Sequence, residues 1–188
     1  MNVSLSLRRY DLHFARAMGI VVLVGFCQAG APRAGRAAEA WGAPVAIDER
    51  GFVGFGASMA VVGGRPAIAY FDGVDQAVMY VRANDDSGTT WADPVAVEGC
   101  QYTGLDQGIS LAEVAGRPAI AYRCAASFFD SDLRFAHADD AEGTAWSAPI
   151  TLDWYGDVGY GVSLAVVLQL PAVAYVDKTW GQLRFVAA

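Results

Sequence analysis

Any chemistry in this chain would have to come from carboxylates, arginines and aromatic rings. There are two histidines in 188 residues. Past residue 40 only His137 remains, and it follows the alternating run Leu133-Arg134-Phe135, so histidine triads and zinc sites have no material. A glycosidase needs an acid and a nucleophile or base at a defined separation, and no carboxylate pair stands out. Arg65 and Arg117 precede proline in turns, while Arg134 and Arg184 read as strand residues at solvated edges. The loops offer something else. Asp72 and Asp75 lie in one, Tyr102 and Arg123 further on, then Trp154, Tyr155 and Tyr160, then Asp177 and Trp180. Aromatic planes beside carboxylates suit sugar rings, whose C–H faces stack while their hydroxyls donate to acceptors. The competing reading is ordinary solvated loop polarity. Calcium is the metal that Asp72 and Asp75, or Asp130 and Asp132, would take, again against plain solvated charge, and no other cofactor is implied.

Those loops hang on a repeat, which is the strongest signal in the sequence. Gly64-Arg65-Pro66-Ala67-Ile68-Ala69-Tyr70 recurs identically at 116–122 and as Gln169-Leu170-Pro171-Ala172-Val173-Ala174-Tyr175. A Ser-x-Ala stretch precedes each copy, at Ser58, Ser110 and Ser163. Val78-Met79-Tyr80, Leu133-Arg134-Phe135 and Leu183-Arg184-Phe185 follow. A tryptophan-led element comes fourth, at 91–97 and 146–152. Its third copy stands instead at 41–47. Each piece is short, rich in Val, Ile, Tyr and Phe, and bounded by Gly, Pro, Asp or Asn, which reads as strand and turn. Ala67 and Ala69 alternate with Ile68 and Tyr70, giving a small face and a large one that stacked sheets can interlock. The expected fold is all-β and β-propeller-like, with three four-stranded repeats at about 54–97, 106–152 and 159–188 plus 41–47. A β-sandwich is the rival, but it gives no reason for a constant period. The N-terminal Trp41 strand would complete the third unit, in its own chain or in a partner. Three units fall short of the roughly four to eight of a closed ring. That shortfall suggests either a homodimer forming a six-bladed ring or a shortened descendant of a longer propeller.

The first forty residues differ in character. Arg8, Arg9 and Arg16 precede an apolar run from Ala17 to Cys27, and small residues lead to Ala38-Glu39-Ala40. This is the layout of a secretory signal peptide, and the apolar run is too short to span a bilayer. Residues 1–40 are therefore read as signal and 41–188 as one secreted or periplasmic domain, with no membrane span after cleavage. Cleavage would leave eight basic against eighteen acidic side chains, a net charge of −10. Such a domain repels phosphate backbones, so nucleic acid is a poor partner.

The turn before each tryptophan carries a family resemblance. Asn84-Asp85-Asp86-Ser87-Gly88-Thr89-Thr90-Trp91 resembles the Asp-box of sialidase-like (BNR) β-propellers, with Asp86, Gly88 and Trp91 in the motif positions. Asp139 to Trp146 keeps Gly143 and Trp146 but has Ala141 where the motif aspartate belongs. The resemblance covers 41–188 and implies a structural role for these boxes. It also implies that the loops after second and fourth strands share one face. That places Cys100 and Cys124 together and implies a disulfide between them, with two buried free thiols as the alternative. The family's Arg-Ile-Pro motif is absent. The reading is an exported, non-enzymatic recognition or scaffold module for a glycan or protein, with an exo-sialidase-like glycoside hydrolase or a propeller remnant as alternatives.

Overall fold

The computed structural model describes residues 42–100, 108–127 and 130–188. The expected leader, Trp41 and Tyr102 lie outside them. Among the described residues there are no helices and eleven strands. The first sheet runs β1 (Val53–Val62), β2 (Arg65–Asp72), β3 (Ala77–Arg82) and β4 (Val95–Gly99). The second runs β5 (Ile109–Val114), β6 (Arg117–Ser127), β7 (Asp130–His137) and β8 (Ile150–Asp153). The third has β9 (Tyr160–Val167), β10 (Leu170–Asp177) and β11 (Gln182–Ala187). All three are antiparallel with strands in sequence order, so the chain is all-β with sheets of four, four and three strands.

Two-residue turns set the register of the first hairpin in each sheet. Gly63-Gly64, Ala115-Gly116 and Leu168-Gln169 all have positive φ at both positions. That is the primed turn whose twist matches the flanking strands. Glycine suits the first of these, whereas Leu168 and Gln169 adopt it against their intrinsic preference.

Neighbouring sheets interlock through opposite faces. Ala67, Ala69, Phe71, Val78 and Tyr80 of the first sheet bury against Ile109, Leu111, Ile120, Tyr122 and Ala136 of the second. Ala119, Ala121 and Leu133 on the second sheet's other face bury against Leu164, Val173 and Tyr175 of the third. The small-face, large-face alternation of the repeat is thus what makes the sheets stack. First strands lie side by side, β1 with β5 and β5 with β9. The Ser-x-Ala serine joins them: Leu111 N donates to Ser58 Oγ at 3.0 Å and Leu164 N to Ser110 Oγ at 2.9 Å.

The expected fourth strand of the third sheet is not in place. Among the described residues that sheet ends at β11, and 42–47 hold no strand. Ile47 instead packs against the Tyr70, Ala77, Met79 and Val81 cluster of the first sheet, and the Asp48 carboxylate accepts the Tyr70 hydroxyl. These two contacts hold the segment at the opposite end of the stack from β11.

Candidate functional site

Three equivalent units of tyrosine, carboxylate and arginine occupy one end of the sheets. The tyrosine closes the Pro-x-x-Ala-Tyr motif, and the acid ends the tryptophan-led element before it. Tyr70 donates to Asp48 at 2.5 Å, Tyr122 to Glu98, and Tyr175 to Asp153 at 2.6 Å. Arginine completes each: Arg50 on Asp48 at 2.6 Å, Arg134 on Glu98 at 2.5 Å, and Arg184 on Asp153 at 2.8 Å. Met79 holds the place of Arg134 and Arg184 in the first repeat, so there the cation comes from Arg50. Arg134 and Arg184 are accordingly half-buried partners of these acids, which corrects their reading as solvated edge residues.

Electrostatics makes these units structural. Burial first, then the neighbouring carboxylate, pushes the Tyr175 hydroxyl up to about 12 and Tyr70 and Tyr122 higher. A nucleophilic tyrosine needs a cheaper phenolate; these are held protonated as donors. For Asp153 the upward push of burial is outweighed by Tyr175, the Tyr155 amide and Arg184, leaving it below the usual carboxylate range.

A second cluster lies where the second and third sheets meet. Arg123 is buried, with Nε donating to Ser131 Oγ at 2.9 Å and Nη2 lying 3.3 Å from Asp157 Oδ1. Tyr160 Oη donates to Asp157 Oδ2 at 3.0 Å, and the Tyr160 ring carries the Arg123 guanidinium at 4.1 Å and Lys178 Nζ at 3.4 Å. Burial raises the Asp157 carboxyl, but Ser131, Tyr160 and Arg123 together hold it below its ordinary value. Arg123 therefore stands in a strand and not in a loop: β6 runs to Ser127, three residues longer than β2 or β10, and carries this residue inside a ladder.

The other expected ligand residues divide. Asp72 and Asp177 are buried caps of their own turns. Asp72 Oδ1 accepts the Val74 and Asp75 amides at 2.8 and 3.0 Å, and Asp177 Oδ1 accepts the Trp180 amide at 3.2 Å. Their second oxygens face Arg50 at 3.1 Å and Arg184 at 2.8 Å. Asp75 also pairs with Arg50, at 3.1 Å. Asp130 is exposed at the start of β7, and burial raises Asp132 despite Arg134. Trp154, Tyr155 and Trp180 remain exposed. They stand on two loops tied together: Asp157 N donates to Thr179 Oγ1 at 2.7 Å and Lys178 N to Asp157 O at 2.9 Å.

Cys100 and Cys124 form a disulfide with Cα atoms 5.6 Å apart. With Glu98 they make the one grouping of metal-ligand side chains among the described residues, and each member is already bonded elsewhere. The tryptophan-led turns differ from expectation by one residue. Asp85, not Asp86, accepts the Thr89 and Thr90 amides, both at 2.9 Å, and the hydroxyls of Ser87, Thr89 and Thr90. The exposed Asp86 takes no part. Asp140 does the same work in the second copy, accepting the Gly143, Thr144 and Ala145 amides, so that turn is intact despite Ala141. Trp91 donates to Gly88 O at 3.0 Å and Trp146 to Gly143 O at 2.9 Å. Gly143 has φ +77° and a Cβ there would overlap the Tyr80 ring, because Tyr80 packs edge-on to Trp146 at 5.3 Å.

No family model matches the chain, and neither a curated protein nor a solved structure matches it.

Proposed function

We propose that the chain is an exported, non-enzymatic recognition module of β-propeller type, whose sheets are blades and whose aromatic loops bind a glycan. The observation that carries this reading is the exposure of Trp154, Tyr155 and Trp180 on two mutually braced loops. Solvent-facing aromatic rings on a fixed platform are the chemistry that stacks on sugar C–H faces. Asp153, Asp157 and Asp177 on and beside these loops are held by turn amides, arginines and tyrosine hydroxyls, which supports binding over turnover. A hydrolase would need a free acid–base pair or an activated tyrosine, and Tyr70, Tyr122 and Tyr175 are shifted away from the phenolate. Ligand contact then falls to the rings, so binding is expected to survive EDTA.

The test is oligosaccharide array binding by the full chain, followed by titration calorimetry on Trp154→Ala and Trp180→Ala. Each variant is expected to weaken binding by at least about tenfold, the scale of one lost aromatic contact. Absence of any bound oligosaccharide, or unchanged affinity in both variants, would refute the glycan reading. Release of product from fluorogenic sialosides, abolished by substituting Arg123, would overturn the non-enzymatic one.

A further inference from the structure

The third sheet leaves open its small face, and the first sheet leaves open the part of its large face around Met59 and Val61 that Ile47 and its neighbours do not cover. Repeat equivalence makes the comparison residue by residue. Val78, Leu133 and Leu183 hold one position on the small face; they are 1%, 0% and 80% exposed. On the large face Leu111 and Leu164 are 5% and 8% exposed, whereas their counterpart Met59 is 68% exposed. Phe185 and Val176 likewise stand uncovered where Tyr80 and Phe71 are buried. What the third sheet lacks is a large face to receive it, and what the first lacks is a small face to lie on.

Polar contacts show the same open pair of ends. Ser58 and Ser110 accept amides from the next first strand. Ser163, their counterpart on β9, is exposed, and the matching amide is that of Met59. The outer edge of β11 is unpaired among the described residues, and residues 44–48 are the repeat counterparts of β4 and β8. Asp48 and Ile47 already hold the positions on the first sheet that Glu98 and Val97 hold on the second. They are placed as the outer strand of a preceding sheet that this chain does not supply. A groove of about 220 Å³ lined by Phe135, Leu152, Pro171 and Val186 lies beside β11. It corresponds to the slot that Trp146 fills against Tyr80.

We propose that a second copy of this chain fills both ends. The third sheet of each copy stacks on the first sheet of the other, and residues 44–48 of each add to the other's β11 as its fourth strand. The register follows twice over. Tyr80 pairs with Val95 and Phe135 with Ile150, and both pairs translate to Phe185 opposite Val45 of the second copy. Met79 with Ala96 and Arg134 with Thr151 both translate to Arg184 opposite Ala46. The contact is head-to-tail, so it must either close or propagate. Two copies bring six sheets, within the roughly four to eight that close a ring, and three would bring nine. The added strands also cover the sheet edges that would otherwise recruit further chains. This assembly is independent of what the aromatic loops bind.

Cysteine cross-linking of the full chain tests it. Val45→Cys and Phe185→Cys chains, mixed and mildly oxidised, are expected to give a covalent two-chain product, and the double variant a dimer with both links. Facing strand residues lie within the Cα range of a disulfide. A mixture of Gly51→Cys with Phe185→Cys, which the register does not bring together, is expected to give none. Met59→Lys is expected to abolish the cross-link while leaving the circular dichroism of the single chain unchanged, because that side chain is exposed within one copy. The proposal fails if the mixed single variants do not link, if the double variant links only within one chain, or if the product is an open ladder of ever longer oligomers.

Discussion

Leu133 and Leu183 occupy one repeat position in two environments, and replacing each by alanine separates packing from sequence. Leu133 is fully buried against Val158, Leu164, Val173 and Tyr175. Truncation there removes the side chain's transfer free energy and leaves a cavity, a cost of about 3 kcal/mol. For a domain of this size that corresponds to a fall in Tm of about 6–12 °C. Leu183 is largely exposed in the single chain, and its truncation should change the stability of that chain by no more than about 0.5 kcal/mol. If a second copy covers Leu183 as Leu164 and its neighbours cover Leu133, the same substitution costs each of the dimer's two contacts about 3 kcal/mol and weakens association roughly 20,000-fold. Urea unfolding over a dilution series reads both effects. Leu133→Ala should be costly at every concentration, and Leu183→Ala costly only where the wild-type chain is assembled. The reasoning fails if Leu133→Ala costs less than about 1 kcal/mol. It fails equally if Leu183→Ala matches it in chains diluted to single copies.

Other outcomes follow from the same geometry. The Cys100–Cys124 bridge closes a separation of 24 residues, so replacing both cysteines by alanine should lower stability by ~3.5 kcal/mol on the chain-entropy account, measured by urea denaturation. Asp85→Ala should lower Tm by removing the carboxylate that organises its turn, while Asp86→Ala leaves Tm unchanged; equal effects would contradict the assignment. Stability should fall below about pH 4 and above about pH 10, and the raised carboxyl of Asp132 adds a decline as pH rises from its unfolded value through its folded one. Asp140, Asp153 and Asp157 have folded pKa values below their unfolded ones. Their contribution is present above the unfolded value and lost as pH falls through the folded one. Tyr175 runs oppositely: its contribution is intact below pH 10 and lost as pH rises through about 12. Tm against pH checks both limbs, and a maximum outside that window would refute the assignment.

The three repeats were legible because Pro-x-x-Ala-Tyr carries two signals at once, the hairpin turn before it and the two-faced alternation within it. Ser-x-Ala was equally visible, but its task was not. A serine bonded to an amide some fifty residues away leaves only recurrence as its trace. The tyrosine–carboxylate–arginine units escaped for a similar reason, since the partners lie on separate elements. The tryptophan-led spacing that sets Asp48, Glu98 and Asp153 at one repeat position, together with the invariant tyrosine, could have revealed the pairing. Arg123 was misplaced because nothing local marks the extra length of β6 beyond its counterparts. Asp86 was misassigned because two aspartates stand together and only the direction of the turn amides chooses between them. Asp72 and Asp177 read as ligands because a carboxylate that caps its own turn looks, in sequence, like any other loop aspartate. Exposure of Trp154 and Trp180 depends on which neighbouring loops fail to cover them, which is a property of the assembled sheets.

The most direct test of the open-ended stack is the mass of the full chain in solution, in the form its host leaves it, by sedimentation velocity across a wide dilution series. Two-chain particles that dissociate on dilution, and are lost in Met59→Lys, are predicted. A compact single chain at every concentration would contradict it.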